Sequence, residues 1–234
     1  MKKTLFWLTA FSIAMGYLET SVVVYLRVIL YPEGFEFPLK PISQDLVTTE
    51  LWREAATILM LVGAGVMAGK NAIQRFAYFL YCFAIWDIFY YVFLKLLLDW
   101  PASFLTWDVL FLLPVTWTGP VLTPIIISSL MILMTAELIY LSETVKDVKV
   151  SARNWTVMIS GALVVIVAFC WDYGAYILKH HSLGKLWSLT DDELFDVSIN
   201  YIPQSFNWVL FLFGILMILL SMILIWRKNS PSLK

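Results

Sequence analysis

Charge is what this sequence lacks most. Only 14% of its 234 residues are Asp, Glu, Lys or Arg, while 61% are hydrophobic; a soluble domain carries about 25% charged residues. That deficit excludes an ordinary soluble fold and places the chain among membrane proteins. A net charge of −1 argues against nucleic acid as a partner. Histidine is confined to the adjacent pair His180 and His181, which argues against haem or a histidine-rich metal centre. The two cysteines, Cys82 and Cys170, both sit in apolar runs without the spacing of a zinc site or a disulfide framework. Catalytic signatures are missing too: there is no G-x-S-x-G elbow, no H-E-x-x-H helix and no Walker phosphate loop. No domain boundary, trusted internal repeat or low-complexity segment breaks the chain, so residues 1–234 read as a single transmembrane domain.

What the sequence has in quantity is long apolar runs. Six reach the roughly 20 residues that a helix needs to cross a bilayer. They predict an all-α, polytopic bundle with spans near 4–30, 51–69, 76–98, 120–142, 155–178 and 204–226. Met1-Lys2-Lys3 followed by an apolar stretch imitates a signal peptide. The run continues past Glu19 to Leu30 without an A-x-A-like site, and so reads as a first membrane helix. Pro120 and Pro203 read as helix starts, where a missing N–H costs nothing. A seventh stretch, 102–113, is bracketed by Pro101 and Pro114 and is too short to span; it reads as re-entrant or interfacial. Thr190 to Glu193 forms a capping box before Leu194, Phe195 and Val197, which predicts a short amphipathic surface helix. The sixth helix, almost devoid of polar side chains, reads as a lipid-facing anchor.

Orientation follows from the basic residues. Lys2, Lys3, Lys70, Arg75, Lys146, Lys149, Arg153, Arg227, Lys228 and Lys234 share the side of the N-terminus, against Arg27, Lys40, Arg53, Lys95, Lys179 and Lys185 on the other. The positive-inside rule then places both termini in the cytoplasm, and the expected location is a bacterial cytoplasmic membrane.

The informative residues are those a membrane normally rejects. A charge at mid-helix costs about 3 kcal/mol on insertion scales and needs a partner or a wet cavity. In the first helix, Glu19 lies about 20 Å from the cytoplasmic end at 1.5 Å per residue. Ser12, Gly16, Glu19 or Thr20, Val23 and Arg27 form one small, polar face. The second helix opens with Glu50, Arg53, Glu54 and Thr57 on a shared face, and carries Gly65 and Gly69 as a close-packing pair. The third holds Asp87 near mid-membrane, with Tyr90 and Tyr91 one turn on and Lys95 continuing the line. Its Trp86-Asp87 pattern recurs at Trp107-Asp108 and at Trp171-Asp172.

Glu19, Glu54, Asp87, Tyr90, Tyr91 and Asp172 are therefore the candidate ligand- or ion-binding residues, with Arg27, Arg53 and Lys95 as charge partners. Register-setting ion pairs are the competing explanation. Three functional readings stay open. One is an outward-facing carboxylate- and aromatic-lined site that binds or translocates a small solute, proton or cation. The second is a membrane-embedded enzyme acting on a lipid or isoprenoid-like substrate, and the third an accessory subunit of a larger membrane complex. No cofactor is expected, although carboxylates alone would suit a hard cation. The bilayer is the expected partner, with other membrane subunits or further copies of the chain as additional candidates.

Overall fold

The computed structural model describes residues 2–40, 43–112, 116–145, 148–180 and 200–230. Among them are six helices, each long and apolar enough to cross a membrane, and one β-hairpin. In chain order they are α1 (Lys2–Leu30), α2 (Gln44–Ala68), α3 (Ala72–Leu98), β1 (Trp107–Phe111), β2 (Trp117–Pro120), α4 (Leu122–Thr144), α5 (Ala152–His180) and α6 (Trp208–Asn229). The surface-helix expectation at Thr190 to Glu193 falls outside the described residues, as do His181 and Lys185.

α3 is the hub. α1, α2 and α4 all pack along it, while α5 and α6 form the tightest pair and join the rest through α4 and the hairpin. α3 is suited to that position: its buried set, from Ala77 through Cys82 and Ala84 to Leu94, faces several neighbours and not one stripe. Asn71 caps its start by accepting from the Gln74 N–H at 2.9 Å, and Asp99 ends it in the left-handed conformation. In the α2–α3 turn the close-packing glycines act as expected. A Cβ on Gly65 would stand 2.7 Å from the Arg75 carbonyl oxygen and 2.8 Å from the Phe79 nitrogen. Gly65→Leu should therefore force the two helices apart and cost about 1–3 kcal/mol, read as a lowered melting temperature in detergent; an unchanged melt would show that this contact does not hold the pair.

Three boundaries differ from the sequence expectation. α6 begins at Trp208 and not at Pro203, because Asn207 supplies the cap, accepting from the Leu210 N–H at 3.0 Å. Pro120 ends β2, and it is Pro124, in the first turn of α4, that exploits the missing N–H. α2 starts earlier, at Gln44, carrying Glu50 and Arg53 well inside the helix. Nor is α6 only a lipid-facing anchor. One face, including Phe211, Gly214, Ile218 and Ile225, is buried, and the Ser221 hydroxyl donates to the Asn154 carbonyl at 3.0 Å.

The Pro-bracketed stretch is a hairpin in which Trp107 pairs with Pro120, Asp108 with Gly119 and Val109 with Thr118. It is wedged between the two halves of the bundle. Trp117 stacks on Phe169 of α5 with centroids 5.8 Å apart, while Asp108 faces α1 and α3. Strand pairing satisfies backbone groups that a loop would leave open.

Candidate functional site

Helical spacing brings the polar face of α1 against α3. Ser12, Gly16, Thr20 and Arg27 are the buried polar or small residues of α1. The Thr20 hydroxyl donates to its own helix at Gly16 and also lies 3.2 Å from the Tyr90 carbonyl of α3. Above this contact the two helices, α2 and the hairpin enclose a cavity of about 230 Å³. Glu19, Glu54, Asp87, Tyr90, Tyr91, Arg27 and Arg53 all line it.

Its walls are organised around two arginines. Arg27, 7% exposed, donates to Asp108 on β1 at 3.0 Å, and the Tyr91 hydroxyl donates to the other oxygen of that carboxylate at 3.2 Å. The guanidinium is clasped between rings, 3.8 Å from the Trp100 centroid and 4.3 Å from that of Phe35, the stacking for which a planar, weakly hydrated cation is suited. Burial pushes the Asp108 carboxyl above the usual carboxylate range, against the opposing pull of Arg27 and the Tyr91 hydroxyl. Arg53 on α2 donates to Glu50 at 2.6 and 2.9 Å and also to Glu19 on α1. That second bond crosses between α1 and α2, which both pack along α3 but not closely along each other among the described residues.

The remaining two carboxylates have no cation bonded to them among the described residues. Glu54, 7% exposed, accepts the Leu112 backbone N–H with both oxygens, at 3.0 and 3.1 Å. Asp87 accepts the Ser128 hydroxyl of α4, at 2.7 Å, and no other hydrogen bond from a described residue. Tyr90, whose ring lies edge-on to Tyr91 with centroids 4.9 Å apart, makes no hydroxyl hydrogen bond to any described residue.

Two sequence candidates stand elsewhere. Asp172 on α5 accepts from the Tyr201 hydroxyl at 2.8 Å and from the Gln204 and Ser205 N–H groups at 3.0 and 3.1 Å. Tyr201 in turn meets Thr118 of β2 at 2.9 Å, so this node ties the hairpin to α5. Lys95 does not neutralise an intramembrane acid. Its flexible stem turns outward to Asp99 at 2.7 Å and to the Asp99 and Pro101 carbonyls at the helix end. The hydrogen bond from Lys95 holds the Asp99 carboxyl below its usual range. That contribution is present above the ordinary carboxylate range and lost as pH falls through the lowered value, but in so exposed a pair it is screened. Lys95→Ala should accordingly leave the melting temperature unchanged; a clear drop would mean that the pair anchors the end of α3.

Two cavity residues, Asp108 and Tyr31, were not among the sequence candidates, and neither was Ser128, which meets Asp87 from α4. The Trp107-Asp108 repeat was the one available signal, since Asp108 reaches the site only through the hairpin. Among the described residues no three His, Cys, Asp or Glu side chains come together in a group that could hold a metal ion.

No protein-family model, characterised protein or solved structure matches the chain. Its class therefore rests on its own architecture. Six apolar helices of spanning length are the make-up of a membrane-embedded protein.

Proposed function

We propose that this is an integral membrane protein whose α1–α2–α3–hairpin cavity binds a small polar solute presented from the outer side, with both termini cytoplasmic. One observation carries the reading: charged and aromatic residues from separate elements, each expensive in a membrane, line the same cavity. Asp87 and Glu54 are the groups that engage the solute, Tyr90 is a hydrogen-bonding partner, and the Arg27–Asp108 and Glu19–Arg53–Glu50 clusters hold the walls. The orientation is supported by the ten-to-six distribution of basic residues, which also makes the end of α1, the start of α2 and the end of α3 the outer side. The hairpin would then be the re-entrant element, its backbone satisfied by strand pairing and by Glu54.

Leu39, half-buried in the loop after α1, lines the cavity. With Cys82 and Cys170 replaced by alanine, Leu39→Cys in intact cells should react with a membrane-impermeant maleimide without lysis. Reaction only after lysis would overturn the outward-facing assignment.

A further inference from the structure

We propose that the ligand is a small organic ammonium ion that also carries an oxygen acceptor, an amino-alcohol chemistry supplied free from the outer solution or as a lipid headgroup. This rests on the cavity being a binding site and adds the class of ligand. The first support is charge. Glu19, Glu50, Glu54, Asp87 and Asp108 line the cavity, against Arg27, Arg53 and Lys40. Arg27 is matched by Asp108 and Arg53 is shared by two acids, so the lining carboxylates without a bonded cation among the described residues are Asp87 and Glu54. An ammonium group would supply the missing positive charge, and its N–H groups would meet acceptors.

The second support is aromatic surface. Trp86, Tyr90 and Tyr91 line the same wall as Asp87, and ring faces beside carboxylates are how proteins hold organic cations. The clasp of Arg27 between Phe35 and Trp100 shows the same chemistry used on a side chain of the protein itself.

The third support is independent of the acids. Two cavity-lining side chains, each only 7% exposed, have a buried donor with no partner among the described residues: Nη1 of Arg27 and the indole Nε1 of Trp86. A buried donor left unpaired is costly, so an acceptor on the ligand is the natural complement. A bare cation would leave both donors unanswered. The two sources differ in route: α1 and α2 are bridged by the Glu19–Arg53 pair and not by close helix packing, so a headgroup could enter between them.

The test uses the full-length protein in nanodiscs of phosphatidylglycerol alone, titrated with ethanolamine, glycerol and propionate, and a parallel set containing phosphatidylethanolamine analysed by native mass spectrometry. Ethanolamine binding that weakens roughly tenfold or more in Asp87→Asn and Glu54→Gln, with glycerol and propionate inert, supports the proposal with a free ligand. An Asp87-dependent phosphatidylethanolamine adduct without ethanolamine binding supports it with the headgroup as source. Asp87-dependent binding of glycerol or propionate, but of neither amine, overturns the ammonium class and leaves the cavity reading standing. Absence of binding in every arm overturns both. Glu54→Gln, on a different helix, carries the test if Asp87→Asn does not fold, and Lys95→Ala, outside the cavity, is the control.

Discussion

Arg27→Met should be the most destabilising single substitution around the cavity, costing about 3–5 kcal/mol, because it leaves the Asp108 carboxylate buried without its cation. Methionine keeps most of the apolar stem, so the loss reports the charge and the ring clasp, not a large cavity. The double variant Arg27→Met with Asp108→Leu should recover much of it, since replacing both partners removes the stranded charge. The deficit should also depend on pH in a definite direction. Asp108 already titrates above the usual carboxylate range because it is buried, and losing Arg27 raises it further. Below the pKa of the unfolded chain the carboxyl is neutral in both states and nothing is stranded. As pH rises above that value the unfolded chain ionises while the folded one holds its proton, so stability falls. The Arg27→Met melt should thus approach wild type near pH 4 and separate from it toward neutrality. A pH-independent deficit would mean that the arginine acts only by packing against Phe35 and Trp100.

Asp87→Asn should have the opposite profile, with a small effect on stability and a large one on binding. Asparagine can still accept from Ser128, and no basic side chain among the described residues is bonded to Asp87 for the change to strand. A hydrogen bond to a charged group contributes about 1.5–3 kcal/mol, so affinity should fall roughly 10- to 150-fold. Ser128→Ala should weaken binding less, since it removes a neighbour that orients the carboxylate and not the carboxylate itself. If Asp87→Asn instead melts far below wild type and binds normally, the acid is a structural tie between α3 and α4.

The helices and most of the cavity were legible in the sequence because the bilayer imposes simple rules. A polar residue inside an apolar run must face protein, and spacing of three or four then says which residues share its face. Gly16 and Thr20 met α3 in that way, Arg27 on the same face met Asp108 of the hairpin, and Glu50, Arg53 and Glu54 turned toward the cavity together. Pairing was not legible. Tyr91 lies one turn beyond Asp87 but bonds to Asp108, because the hairpin delivers a second carboxylate at that level. Helical spacing placed Lys95 in line with Asp87, but not the direction of its long stem, which Asp99 and the carbonyls at the helix end decide. Asp172 shared the Trp-Asp pattern, yet its helix packs on α6 and the hairpin, away from α1 and α2. The strands themselves were hidden among prolines, since two short segments of four and five residues carry little periodic signal.

Native mass spectrometry of the protein, extracted gently from its own membrane alongside Asp87→Asn, tests the central claim most directly. The cavity reading predicts a single chain, or a defined number of copies, carrying a small adduct that Asp87→Asn loses. A chain that retains the adduct in Asp87→Asn, or that flies with other polypeptides and no adduct at all, would contradict it and leave the acids as ties between helices.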